Sequence, residues 1–234
     1  MNPEEFSAMI QDCFGDNLES IVLYGSAARL EHHQTISNFN LLVLIKNSGG
    51  GNLLVGQKGL EKWLKKNPPP LIWDLEFFKS SIDVFPLEFL ELKSRHKIIW
   101  GQPLPLFNVT LDNLRHQCEW ELRSKYLRLQ NHPAYLLQKP KELFPILLQT
   151  LPSIMALMKG TLILLKKMPE ENWRKRVEQM AQLTDIHPDI FLKLIDMREK
   201  RLPMPRKEEV WPIFEAFLTE LKSIIRFVDR LEDL

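Results

Sequence analysis

The sequence predicts an α+β fold, with a mixed sheet and flanking helices in the first half and a helical bundle in the second. Short apolar runs that suit strands occur before residue 108, namely residues 21–24, 41–45, 71–73, 82–89 and 96–100. From residue 111 onward, apolar side chains recur at helical spacing in about five segments joined by short loops. We therefore expect two domains, residues 1–108 and residues 109–234.

The composition is ordinary for a soluble protein with a packed core, because 44% of the 234 residues are apolar and 26% are charged. The net charge of +1 gives no strong signal for nucleic-acid binding. The N-terminus is acidic where a signal peptide would be basic. The apolar stretch 143–165 holds two prolines and a lysine, so it suits buried bundle helices better than a membrane span. We therefore expect a cytoplasmic protein without a membrane segment.

The most informative stretch is residues 21–45, where two apolar runs flank a Gly-Ser pair and an Asn-x-Asn triplet. Gly25 and Ser26 end the first run, and the small residues after them predict the start of a helix. Backbone N–H groups at such a turn can bind an anion, and the helix dipole favours negative charge there. Asn38 and Asn40 lie at the start of the second run, and alternate residues of a strand share one face.

This pattern resembles the nucleotidyltransferase superfamily, which includes the aminoglycoside nucleotidyltransferases and the DNA polymerase β-like enzymes. The family pattern is an apolar residue, Gly-Ser, a spacer, and then an acid-x-acid pair on the next strand. Residues 24–26 and the strand that begins at Asn40 match it in type and spacing, but Asn38 and Asn40 replace the two metal-binding carboxylates. The resemblance implies a nucleotidyltransferase-type mixed sheet followed by a helical bundle, the order found in the aminoglycoside enzymes.

A third carboxylate of the family comes from a strand next to the one that carries the acid pair. Residues 82–89 have the alternating character of a strand, and Asp83 is an acid within it, where an unpaired charge would be costly. The resemblance therefore implies that Asp83 is a catalytic residue and a metal ligand. The alternative is a strand-end acid that pairs with a lysine or caps a turn. Glu88 and Glu91 are substitutes that lie further along the chain.

The two asparagines change the chemistry that the resemblance implies. Enzymes of this family transfer a nucleoside monophosphate from a triphosphate to an acceptor hydroxyl, usually with two Mg²⁺ ions held by carboxylates and phosphates. Asn38 and Asn40 can still offer amide oxygens, but two negative charges are gone and an amide cannot act as a base. We therefore expect a weak or absent Mg²⁺ site at Asn38, Asn40 and Asp83. Gly25 and Ser26 would still bind a nucleoside triphosphate.

Three functions follow as alternatives. The first is a nucleotidyltransferase-fold protein with impaired catalysis that binds a nucleotide. The second is an active Mg²⁺-dependent enzyme that modifies a small molecule or a protein hydroxyl between the sheet and the bundle. In that case Asp83, Glu88 and a bundle acid, Glu119 or Glu121, would supply the missing charge. The third is a structural or regulatory partner protein without catalysis, and an apolar bundle face could also support a homodimer.

A simpler interpretation of Glu119 comes from its position on the first helix of the bundle. Arg115 and Arg123 lie four residues before and after it. Side chains four residues apart are neighbours on a helix, so these charges should pair along its surface. We therefore expect an ion pair at Glu119 in preference to a catalytic role.

Overall fold

The computed structural model describes residues 1–29, 39–48, 57–136 and 140–233. These residues belong to two compact units, Met1–Thr110 and Leu111–Leu234. The described residues of the first unit form a mixed sheet with helices, whereas those of the second unit form helices. The predicted α+β class is confirmed.

The first unit is built on a sheet of four strands within the described residues. Its strand order is β3-β2-β1-β4, where the strands are β1 (Leu18–Tyr24), β2 (Asn40–Ile45), β3 (Leu71–Asp74) and β4 (His96–Gly101). Strand β1 runs antiparallel to both of its neighbours, while β2 and β3 are parallel. The helices described in this unit are α1 (Pro3–Phe14), α2 (Gln57–Leu64), α3 (Leu75–Ser80) and α4 (Pro86–Ser94).

Helices cover both faces of the sheet, which explains why β1 and β2 are continuous apolar runs. On one face, Ile21 and Val43 belong to a buried cluster with Phe6 of α1 and Trp63 of α2. Alternate strand residues turn to the other face, where a second cluster contains side chains from β1, β2, α3 and α4: Val22, Leu42, Leu44, Phe78, Phe89 and Leu92. The two clusters hold the strands against the helices on both faces of the sheet.

The predicted strand over residues 82–89 is wrong. Residues 81–84 form a turn, in which Val84 and Phe85 donate backbone hydrogen bonds to the Ser81 carbonyl at 3.2 and 3.0 Å. Helix α4 then begins at Pro86, whose fixed φ suits the first turn of a helix. Its buried positions recur every three residues, at Pro86, Phe89 and Leu92, which is a helical spacing.

The second unit consists of helices connected by short segments. The described α-helices are α5 (Leu111–Leu136), α6 (Pro140–Leu164), α7 (Trp173–Leu183), α8 (Asp189–Arg198) and α9 (Val210–Asp229). On α5, Leu114, Cys118 and Leu122 are fully buried, as their helical spacing predicts. Among the described residues, one segment of α6, Glu142–Leu164, is long and apolar enough to cross a membrane by length and composition alone, and half of its most apolar window is buried.

Helix α6 continues through two internal prolines, Pro145 and Pro152. A proline has no N–H to donate, so Pro152 leaves the carbonyl of Leu148 without its usual helical partner. A guanidinium N–H of Arg198 on α8 donates to that carbonyl at 3.0 Å. Another helix of the same unit thus supplies the hydrogen bond that the proline removes.

Candidate functional site

Three side chains lie side by side at one end of the sheet, each on a different strand. Tyr24, the last residue of β1, is directly opposite Asn40 of β2 and His96 of β4. Directly opposed residues of antiparallel strands project from the same face, so all three side chains share the face covered by α3 and α4. The spacing of neighbouring strands places Asn40 and His96 about 10 Å apart. We call Asn40, Tyr24 and His96 the strand-end row.

Gly25 follows Tyr24 and lies against Asn40. Its φ of +76° is in the left-handed region that glycine adopts without strain. A Cβ at this position would lie 3.2 Å from the Asn40 side-chain nitrogen, which is tighter than an ordinary contact. The Gly25 N–H donates to the Arg95 carbonyl at 3.3 Å. Glycine therefore suits this position by its conformation and its small size, and its own N–H already has a partner.

The predicted helix after the Gly-Ser pair is a short 3₁₀ helix over Gly25–Arg29 in the structure. Ser26 lies within it, so its backbone follows directly on the strand-end row. A helix this short contributes less dipole than the longer helix start that the sequence predicted. The spacer and Asn38, the first asparagine of the Asn-x-Asn triplet, lie outside the described residues.

Asn40 is the part of the predicted metal position that the structure describes. It is half-buried and is the first residue of β2. Strand β2 therefore begins beside the Gly-Ser turn, as the sequence pattern requires. Within the described residues, no group of three or more His, Cys, Asp or Glu side chains is placed to hold a metal ion.

Two carboxylates of α4 approach the strand-end row. Burial, together with the smaller effects of the negative charges of Glu88 and Glu91, raises the pKa of Tyr24 to about 12. The phenol of Tyr24 is therefore protonated at neutral pH and can donate a hydrogen bond. Glu88 and Glu91, which the sequence suggested only as substitutes for Asp83, lie on the helix that packs against the face of the row.

Asp83 lies elsewhere. It is exposed in the turn that precedes α4, not in a strand. The nine residues of α4 span roughly 13 Å, and the chain reaches His96 only after the far end of that helix. Along the chain, a whole helix thus lies between Asp83 and His96. Asp83 was predicted to be a metal ligand because the sequence placed it on a strand, whereas the structure places it in a turn.

Glu119 and Glu121 of α5 form ion pairs and hydrogen bonds within that helix. Glu119 accepts hydrogen bonds from Arg115 at 2.9 Å and from Arg123 at 2.8 Å, so the predicted ion pairing is confirmed. Glu121 accepts from Gln117 at 3.0 Å and from Lys125 at 2.9 Å. These contacts account for both carboxylates as stabilising pairs along one helix.

The sequence pattern predicted a strand at residue 96 but did not single out His96 as a candidate site residue. Its Nδ1 lies 2.7 Å from the carbonyl oxygen of Leu92, one helical turn earlier in the chain, while the residue as a whole is exposed. Nothing in the local sequence marks this histidine, because its position opposite Tyr24 depends on the pairing of β4 with β1. A strand register of this kind is a tertiary property and has no short motif.

Comparison with solved structures gives a match along almost the whole chain. The crystal structure of spectinomycin adenyltransferase AAD(9) from Enterococcus faecialis with ATP and spectinomycin aligns with a TM-score of 0.55 at 11% identity, covering 94% of this chain and 100% of that one. The chain has the fold of a nucleotidyltransferase. The likeness includes both the sheet unit and the helical unit, in the order that the sequence predicted.

Two further structures align over part of the chain. A mutant of the toxin–antitoxin MntA–HpeT matches 59% of this chain at 18% identity with a TM-score of 0.30. A toxin–antitoxin with AMP-PNP matches 58% of it at 19% identity with a TM-score of 0.29. A scan against protein-family models and a search of the curated proteins gave no match.

Proposed function

We propose that this chain binds a nucleoside triphosphate beside the strand-end row and transfers a nucleotidyl group weakly or not at all. The observation that carries the proposal is the pair formed by Gly25 and Asn40. Gly25 has the backbone conformation and the close packing of a ligand-binding turn, yet the side chain that lies against it is a neutral amide. The fold supports a nucleotide ligand, because the aligned adenyltransferase is described with ATP.

The neutral amide is the reason for expecting poor catalysis. Mg²⁺ binds hard oxygen ligands and is usually held by carboxylates together with the phosphates of its substrate. An amide at residue 40 offers an oxygen without a charge, and Asn38 is its counterpart in the sequence. In-line transfer requires neutralisation of the charge on the phosphates, so the loss of both carboxylates should slow the chemical step far more than it weakens binding.

A second candidate is an active Mg²⁺-dependent nucleotidyltransferase, which the positions of Glu88 and Glu91 favour. Both carboxylates act electrostatically on Tyr24, the central member of the strand-end row. They could supply from α4 part of the charge that β2 lacks. The acceptor would then be a small molecule or a protein hydroxyl. In this alternative Glu88→Gln and Glu91→Gln would abolish activity, whereas in the first proposal they would leave nucleotide binding intact.

Calorimetric titration of the purified protein with ATP, GTP, CTP and UTP, with and without Mg²⁺, separates the two candidates. We expect at least one triphosphate to bind with similar affinity in both conditions and to release no pyrophosphate on prolonged incubation. Binding that requires Mg²⁺, together with pyrophosphate release, would replace the first proposal with the second. Absence of binding to all four triphosphates would contradict both candidates and leave the fold as a scaffold for a protein partner.

A further inference from the structure

His96 lies on the side of β1 opposite to Asn40. It is the first residue of β4, and the carbonyl of the preceding residue, Arg95, accepts the N–H of Gly25. The backbone directly before the imidazole is therefore hydrogen-bonded to the Gly-Ser turn, and His96 lies next to Tyr24. A triphosphate that follows this turn would extend toward either Asn40 or His96, and only His96 can carry a positive charge.

The orientation of the His96 ring is fixed by one contact. Its Nδ1 is 2.7 Å from the Leu92 carbonyl oxygen. A carbonyl oxygen only accepts, so Nδ1 must carry a hydrogen for this bond to form. Nε2 is then the ring nitrogen that can meet a ligand. In the neutral ring Nε2 is an acceptor, and it becomes a donor only when the ring takes up a second proton.

We propose that His96 binds the phosphate tail of the nucleotide, with protonated Nε2 donating to a phosphate oxygen in place of a metal ion. This inference rests on the proposed function and assigns a residue to its ligand. The binding step involves no bond cleavage, and it requires a ring that carries a proton on both nitrogens when the triphosphate is bound. It predicts that triphosphate binds more tightly as the pH falls through the range in which histidine side chains change charge.

The groups near His96 come from β1, α4 and its own strand. Tyr24 comes from β1, and the carboxylates of Glu88 and Glu91 on α4 act on that phenol. On the strand itself the neighbouring cation is Lys97, whose side chain projects to the other face because strand residues alternate. The Tyr24 phenol, protonated at neutral pH, is a second donor next to the ring.

Two substitutions separate ligand contact from structural support. In His96→Asn, the amide can keep the hydrogen bond to Leu92 but has no group at the position of Nε2. In His96→Gln, the longer amide can place a donor near that position but does not titrate. His116→Asn provides a matched control, because His116 is an exposed histidine on α5.

The experiment measures the affinities of the four nucleoside triphosphates and of their monophosphates by calorimetry at about pH 6 and about pH 8. We expect His96→Asn to weaken triphosphate binding about tenfold at the lower pH and to leave monophosphate binding unchanged, since a hydrogen bond to a charged group is worth roughly that much. His96→Gln should retain part of the affinity and lose the difference between the two pH values. His116→Asn should behave like the wild type.

The outcomes distinguish this inference from the proposed function. If the wild type binds a triphosphate and His96→Asn binds it equally well, the role of His96 is wrong while the proposed function stands. Equal loss of triphosphate and monophosphate binding in His96→Asn would indicate structural support and would also overturn the inference. If the wild type binds no triphosphate, both fail. Comparing each variant with the wild type at the same pH cancels the titration of the nucleotide itself.

Discussion

Arg176, a buried polar side chain of the helical unit, is satisfied within that unit, whereas three polar side chains of the sheet unit lie together where strands end. Arg176 of α7 donates to the carbonyls of Glu170, Met155 and Glu171 at 2.7, 3.1 and 3.3 Å. In the sheet unit, Asn40, Tyr24 and His96 share one face beside a glycine with positive φ, where a Cβ would lie 3.2 Å from the Asn40 side-chain nitrogen. Arg176 therefore contributes to stability, whereas the three side chains at the strand ends are candidates for binding a ligand.

The largest effect that separates the two units should come from Arg176, which is 5% exposed. Arg176→Met would remove the guanidinium donor from the buried Met155 carbonyl and from two partly buried carbonyls, and an unsatisfied buried polar group costs about 1 to 3 kcal/mol. We expect a loss of roughly 3 kcal/mol in the free energy of unfolding, measured by urea denaturation, with unchanged nucleotide affinity in the folded protein. A loss of affinity that exceeds the loss of folded protein would contradict the separation of roles.

The pH dependence of the free energy of unfolding should report on the burial of Tyr24 in the sheet unit. Its pKa is raised to about 12, so the folded state holds the phenolic proton more tightly than the unfolded state, where the pKa is about 10. The resulting stability, about 2 to 3 kcal/mol, is fully present below pH 10 and is lost as the pH rises toward 12. Urea unfolding of Tyr24→Phe should show a smaller alkaline loss than the wild type. Equal slopes in the two proteins would show that Tyr24 is not shielded.

Two glycines of the sheet unit form a matched pair for testing the Gly-Ser turn. Gly15 and Gly25 both have positive φ, but a Cβ at Gly15 would meet nothing within 4 Å, while one at Gly25 would press on Asn40. Gly25→Ala should weaken triphosphate binding about tenfold, whereas Gly15→Ala should share the backbone strain and keep the affinity. Calorimetry on both variants measures their triphosphate affinities. Equal affinities in the two variants would mean that Gly25 does not belong to the binding site.

The smallest effect concerns Pro152 in α6. Arg198→Ala should cost about 1 kcal/mol of stability, because it removes the donor to the Leu148 carbonyl. In a Pro152→Ala background the helix can supply its own donor, so the same change should cost less. A double-mutant cycle by urea denaturation measures the difference. Additive effects would mean that Arg198 acts independently of the proline.

The sequence predicted the parts of the fold that local patterns determine. Apolar runs located β1 and β2, and helical spacing located the long helices of the second unit, because burial alone sets those patterns. The pattern failed at residues 82–89, where alternating character before Pro86 concealed a turn followed by a helix. For the site, the motif identified Gly25 and Asn40, which lie side by side in the structure. It could not identify His96, whose position depends on strand register. It favoured Asp83 over Glu88 and Glu91 because it placed Asp83 on a strand.

The measurement that tests the central claim most directly is the effect of Mg²⁺ on triphosphate affinity in the wild type and in the double variant Asn38→Asp/Asn40→Asp. If the neutral amides are the reason for weak metal binding, Mg²⁺ should leave the wild-type affinity nearly unchanged. In the double variant it should raise the affinity about tenfold, because two carboxylates restore the charge that the metal requires. A strong Mg²⁺ effect in the wild type, or none in the double variant, would contradict the claim that residues 38 and 40 decide the chemistry of this site.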